Sequence, residues 1–212
     1  MSFTMTASSG GGKTEKAPPG NHLAVLVAVV DLGTQEHDYQ GKVSWRRDVY
    51  LCWELAGEQI AGTTKNHLIG TAVTMSLNDK ATLRKWVEAR TGRKITEGEK
   101  YDLSAELGQP CLLNVVANQS GYPRVEGVAA VPKGLPAPKP TYEPFACSLE
   151  EFQAGKDLPD WLPWHYGSQL AEHVKASREI GGAKPQPKSK QTTEQSRPEP
   201  MAASGNGGEI PF

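Results

Sequence analysis

With 212 residues, a formal net charge of -1 and 37% hydrophobic residues, the chain has room for one domain of ordinary size with tails, or for two very small ones. The balance excludes a histone-like binder whose affinity is almost wholly electrostatic. Between Gly20 and Phe145, fourteen Lys and Arg stand against fourteen Asp and Glu, so any basic surface must come from segregation of charge.

Residues 1–21 are rich in Ser, Gly, Thr and Pro and read as a disordered arm. Within them Gly12-Lys13-Thr14, with Ala7 at the right spacing, nearly matches a phosphate-binding loop. That loop needs a buried strand before it and a helix after it, and Ala17-Pro18-Pro19-Gly20 forbids the helix. The amino terminus has no basic region followed by an apolar one, and the longest apolar run, Leu23–Val30, is too short to cross a bilayer. The three cysteines, Cys52, Cys111 and Cys147, are far apart, with no Cys-x-x-Cys pair and no His at ligand spacing. No metal or cofactor is expected, and reduced thiols in a cytoplasm are.

His22–Asp31 is a β-branched run whose near-continuous apolarity predicts a strand buried on both faces or shared between two sheets of a barrel. Thr34–Gln40 reads as a polar loop. Gly41–Leu55 follows as the second strand, and with period two Trp45, Arg47, Val49, Leu51 and Trp53 share one side while Arg46, Asp48, Tyr50, Cys52 and Glu54 share the other. The first side turns apolar from Val49 and suits a core, which leaves the side of Arg46 and Tyr50 for solvent or a ligand. Near its start, Lys42, Trp45, Arg46 and Arg47 crowd cations and a ring together, a combination that suits phosphate neutralisation beside base stacking. Ala56–Asn66 is a hairpin connection with Lys65 near its end, and His67–Leu77 is a third strand.

The period then changes. Asn78 or Ser76 is the expected cap of a helix with Ala81, Leu83, Trp86, Val87 and Ala89 at helical spacing, Trp86 as a core plug, and a stop at Thr91-Gly92. A short turn over Leu103–Leu107 leads to a fourth strand, Cys111–Ala117, a hairpin turn at Asn118–Gly121, and a fifth strand, Tyr122–Val131, on which Tyr122 and Arg124 share a side. Three strands, one helix and two strands over residues 22–131 are the order of the five-stranded antiparallel oligonucleotide-binding (OB) barrel, with its helix between strands three and four. The fold class read here is therefore mainly β.

Residues 132–180 form an extension: proline-rich and extended over Pro132–Pro144, then apolar enough over Cys147–Leu162 to pack back on the barrel. A helix from Pro163-Trp164 follows, with Tyr166, Leu170 and Val174 on one face. Trp161 and Trp164 are expected to act as a hydrophobic latch. Residues 181–212 read as a disordered linker and tip, about 30 Å in root-mean-square span over residues 181–208. It ends in Glu209-Ile210-Pro211-Phe212, an apolar triplet with a free carboxylate that suits an apolar pocket rimmed by Arg or Lys on a partner.

That ending resembles the carboxyl-terminal tip of bacterial single-stranded DNA-binding proteins, with Glu209 in place of a longer acidic run. The segments at 30–33, Gly41-Lys42, Trp53-Glu54-Leu55, Ser76-Leu77, Leu83-Arg84-Lys85, Leu107-Gly108, Cys111, and Leu158-Pro159 with Trp161-Leu162 are similar to bacteriophage single-stranded DNA-binding proteins of the OB fold. The resemblance implies coating of single strands during phage replication or recombination in the bacterial cytoplasm. It also implies a tail that recruits phage or host replication proteins, no membrane association and no catalysis.

The residues expected to hold DNA are Lys42, Trp45, Arg46, Arg47, Tyr50, Lys65, Tyr122 and Arg124, with Glu209, Ile210, Pro211 and Phe212 meeting a partner protein. The rival reading is an adaptor that joins replication proteins without touching DNA. A metal-dependent nuclease would have to draw on Asp31, Glu36, Asp38 and Glu54, whose spacing fits no recognisable site.

Overall fold

The computed structural model describes residues 16–163, 165 and 167–181. They form a mainly β architecture: β1 (Gly20–Tyr39), β2 (Lys42–Gln59), β3 (Asn66–Thr74), α1 (Thr82–Thr91), a 3-10 turn (Leu103–Glu106), β4 (Pro110–Ala117), β5 (Pro123–Ala129), β6 (Phe145–Cys147), α2 (Leu149–Gln153), α3 (Leu170–Lys175) and α4 (Arg178–Gly181). The sheet runs in the order β3-β2-β1-β4-β5, antiparallel throughout, and the short β6 adds in parallel to β1. No hydrogen-bonded ladder joins β3 to β5 among the described residues, so the path ends at these two strands.

β1 organises the sheet. Its first part pairs with β4 from Gly20↔Val115 to Val25↔Pro110, and further on the same strand pairs with β6 from Ala28↔Phe145 to Val30↔Cys147. Register shifts against β2 at Leu26/Ala28 and Asp31/Gly33 mark bulges, which bend and twist a strand locally. Residues 24–33 are buried without a break, as the apolar run predicts, because β1 has a hydrophobic layer on each side.

One layer places Leu26, Val49, Leu51, Trp53 and residues of β4 and β5 against α1. Trp86 of α1 meets Trp53 edge-on, with ring centroids 5.8 Å apart, and so plugs the core as expected. The other layer places Val25, Val27, Val30, Tyr50 and Cys52 against Cys147, Leu149, Leu162, Leu170 and Val174 of the carboxyl-terminal extension. Fully burying one such apolar side chain contributes roughly 1.5–3 kcal/mol, so both layers are integral to the fold.

Several elements differ from expectation. β1 starts at Gly20 and Ala17 is already buried in the core, so the fold begins before residue 22. Thr34–Gln40 is not a loop: β1 and β2 continue past the sheet as a paired arm to Tyr39↔Lys42. The arm closes in the two-residue turn Gln40-Gly41, with φ of 54° and 77°, the sign that a tight hairpin turn of the I′ type requires and that glycine adopts without strain. α1 has Ala81 at its amino-terminal cap, with no side-chain bond, because Ser76 and Asn78 spend their oxygens on the turn before it. Its other end is the expected glycine cap, Gly92 N–H donating to Glu88 O at 2.9 Å.

In the extension, Ser148 and Glu151 form a reciprocal capping box that starts α2. Helix after Pro163 is delayed to Leu170, because His165 and Ser168 first close a tight bridge. Trp161 packs on the second layer and on Tyr142, with ring centroids 5.1 Å apart, in keeping with a latch. Trp164, Tyr166, the Gly12-Lys13-Thr14 segment and the Glu209–Phe212 tip lie outside the described residues. Among the described residues, no helix is long and apolar enough to cross a membrane.

Candidate nucleic-acid interface

Apart from Tyr50, the residues expected to hold DNA fall into two groups at opposite ends of β1. Lys42, Trp45, Arg46 and Arg47 lie on the arm, where their β1 partners are Tyr39, Glu36, Gln35 and Thr34. Lys65 lies in the β2–β3 loop, and Tyr122 and Arg124 lie at the β4–β5 turn. Both connections are at the end where β1 begins, since Ala24 pairs with Leu55 and Gly20 with Val115. Along an extended strand, the path from Gly20 to Glu36 is about 50 Å, shortened here by the bulges. The two groups are therefore separate patches.

On the arm, Lys42 and Arg46 are exposed and have no ion pair among the described residues. Arg47 is different. It lies over Asp31, donating Nε to Oδ1 at 3.3 Å and pairing through its outer nitrogen with Oδ2. The bonded carboxylate raises the guanidinium pKa above its ordinary value, and the charge of Arg47 is spent inside the molecule. Trp45 is half-buried, and the Arg178 guanidinium of α4 lies 5.7 Å from its ring centroid. Sequence reasoning missed Arg178, since nothing in the local pattern ties residue 178 to residue 45.

The Tyr50 side of β2 is not open, and the expectation is corrected. Tyr50 is 1% exposed. Its hydroxyl donates to Pro163 O at 3.3 Å, its ring meets His165 edge-on at 5.3 Å, and burial pushes its pKa well above the usual tyrosine value. Across the sheet, Gly70 leaves the space this ring fills, and a Cβ there would overlap the Tyr50 hydroxyl. Further along the same side Glu54, also 1% exposed, accepts from Asn66 Nδ2 at 2.6 Å, Thr141 N at 2.8 Å, Thr141 Oγ1 at 2.7 Å and Tyr142 N at 3.1 Å. The outer face of β2 and β3 is thus filled by the chain's own extension, pinned at Glu54 and at Tyr50.

At the other end Lys65 is exposed, and its backbone carbonyl accepts from Ile60 N at 2.9 Å, which closes the loop around it. Tyr122 is 59% exposed. Asn118 Oδ1 accepts from Ser120 N and Tyr122 N, both at 2.9 Å, and so fixes the turn that presents the ring. Lys16, another residue missed in the sequence, places Nζ 3.7 Å from the Tyr122 ring centroid and donates to Gly121 O at 3.2 Å. Arg124 is exposed but paired with Glu126 on the same side of β5. Such a surface pair is worth little and leaves the guanidinium within reach of a stronger anion.

The four carboxylates a nuclease would need are dispersed. Asp31 serves Arg47, Glu54 is consumed by its four donors, and Glu36 and Asp38 stand out on the arm. Among the described residues no group of three His, Cys, Asp or Glu could hold a metal ion. All three cysteines are free and buried, and burial raises the Cys111 thiol to about 12. A cleft of about 520 Å³ lies between β1, α1, the 3-10 turn and the start of α2, with an apolar floor that includes Val29, Leu83, Val87 and Leu103. No protein-family model and no curated protein matches the sequence.

Proposed function

We propose that the chain binds single-stranded DNA with little regard to sequence, without catalysis, and protects it during phage replication or recombination. The observation that carries this reading is the β1–β2 arm, which projects exposed Lys42 and Arg46 beyond the packed sheet, on the same face as the exposed ring of Tyr39. Cations that follow phosphates beside rings that stack on bases are the chemistry of sequence-tolerant single-strand binding. The strand path and the place of α1 between β3 and β4 support an OB fold.

Oligonucleotides engage that fold through the β2–β3 face and the β1–β2 and β4–β5 loops. With the β2–β3 face occupied by described residues of the extension, among them Thr141, Tyr142, Leu162, Leu170 and Val174, DNA is left the arm at one end and Lys65, Tyr122 and Arg124 with Lys16 at the other. The Glu209–Phe212 tip recruits a protein of the replication machinery through an apolar pocket rimmed by cations.

A second reading, an adaptor that joins replication proteins without binding DNA, is favoured by the neutralisation of Arg47 and the covering of Tyr50. Fluorescence anisotropy separates the two. Labelled oligo-dT and a duplex of equal length are titrated at two salt concentrations, with the full chain and with a truncation after Gly208. Salt-sensitive preference for the single strand that survives truncation supports DNA binding by the body and leaves the tip for partners. Equal, weak binding to both would establish the adaptor in its place.

A further inference from the structure

The arm has two chemically different faces. In an antiparallel ladder, residues directly opposite each other project to the same side, and the side alternates at each step. From Gly33↔Asp48 to Tyr39↔Lys42 the register is unbroken, so Tyr39, Lys42, His37, Ser44, Gln35 and Arg46 share one face. His37 Nε2 lies 2.7 Å from Asp48 Oδ2, as two residues of one face must. The opposite face carries Val43 across from Asp38 and Trp45 across from Glu36, followed by Arg47 across from Thr34.

Charge is segregated between them. Among the arm's own residues the first face has one carboxylate, Asp48, buried at the base and held by His37; Glu179 of α4 also lies at the base, bonded to Thr34, while Lys42 and Arg46 are exposed further out. On the second, Glu36 and Asp38 are exposed, Arg47 is spent on Asp31, and the Trp45 ring is shared with Arg178. A phosphate approaching Trp45 meets the carboxylate of Glu36 directly opposite. Tyr39, by contrast, is 73% exposed and lies across from Lys42, so an open ring and a free cation stand about 5 Å apart at Cβ. Arg46 is four residues further along, about 13 Å down the same face.

We propose that single-stranded DNA lies on the Lys42 face of the arm, with Tyr39 as its base-stacking ring and Lys42 and Arg46 on its phosphates, and that Trp45 does not touch it. This assignment rests on the DNA-binding function proposed above. It moves the stacking ring from the second strand, where the sequence places it, to the last residue of the first. Bases stack on the open ring and their phosphates avoid Glu36 and Asp38.

The test is anisotropy with labelled oligo-dT on four full-length chains: wild type, Tyr39→Leu, Tyr39→Trp and Trp45→Leu. Loss of one base stack, worth about 1 to 3 kcal/mol, weakens Tyr39→Leu roughly 5- to 150-fold. Tyr39→Trp keeps wild-type affinity, and Trp45→Leu stays within about twofold of it. Because Tyr39 is exposed, the thermal melts of the Tyr39 variants coincide with wild type, which excludes misfolding as the cause of a loss.

Wild-type binding with an unweakened Tyr39→Leu, or an equal loss in Trp45→Leu, would overturn the assignment while leaving the function in place. A wild-type chain with no preference for oligo-dT over duplex would instead remove the function itself.

Discussion

Tyr50 shows how one residue can carry opposite meanings at two levels. Period-two alternation correctly separates it from Val49, Leu51 and Trp53, yet its side of β2 is a second core. The signal was present in the chain: a first strand apolar on both faces needs a layer on each, and whatever covers β1 also reaches its neighbour β2. Gly70 records the same packing from the other side. Placing a methyl group there forces the Tyr50 ring off its seat. Gly70→Ala is therefore expected to lower stability by about 1–3 kcal/mol in urea unfolding. Combined with Tyr50→Ala it should cost much less than the sum of the two changes, since the clash disappears with the ring. Simple additivity would show that the two positions do not share this contact.

At the level of elements, the β1–β2–β3 order, α1, and the β4–β5 hairpin were all legible, β1 from a continuous apolar run that reports burial on both faces and the others from a periodicity that reports contact with a core. The first half of the arm, read as a loop over Thr34–Gln40, was not legible, although its partner from Gly41 was read as strand. Residues 34–40 stand beyond the sheet, so neither face needs to be apolar and alternation is silent there. The remaining signal was the Gln40-Gly41 turn, a weaker hairpin mark than Asn-Gly. The positions of Lys16 and Arg178 were illegible for a different reason, since each meets its ring across more than a hundred residues of chain.

The extension over β2 carries its own titration. The half-buried ring of His165 lies between Tyr50 and His173, whose Nε2 is 2.7 Å from His165 O. Burial, then the neighbouring His173, lowers the His165 pKa from 6.5 to about 4. The unfolded chain takes up this proton more readily than the folded one. The His165 contribution is thus fully present above about pH 6.5 and is lost as the pH falls towards 4. Wild type is expected to lose more stability than His165→Gln between pH 7 and pH 5, measured by urea unfolding at each pH. Parallel losses in the two chains would contradict the burial of a neutral ring at this site.

For the whole molecule, balanced charge leaves nucleic-acid binding open until the fold shows where charges go. Here Arg47, Arg84 and Arg90 are tied to carboxylates. Lys42 and Arg46 stand on an arm whose exposed acids, Glu36 and Asp38, face the other way. Segregation of this kind gives a local field with a net charge near zero. The covered β2–β3 face adds a second constraint: Cys147, Leu149, Leu162, Leu170 and Val174 of the extension are packed as core, and DNA has to be held without displacing them.

Hydrogen exchange of the full chain with and without saturating oligo-dT tests this arrangement most directly, because it reports each segment separately. Slowed exchange is expected on the arm at residues 36–46 and around the β4–β5 turn at 118–124, with unchanged exchange over 141–174. Faster exchange over 141–174 on adding the oligonucleotide, or no change on the arm, would contradict the account.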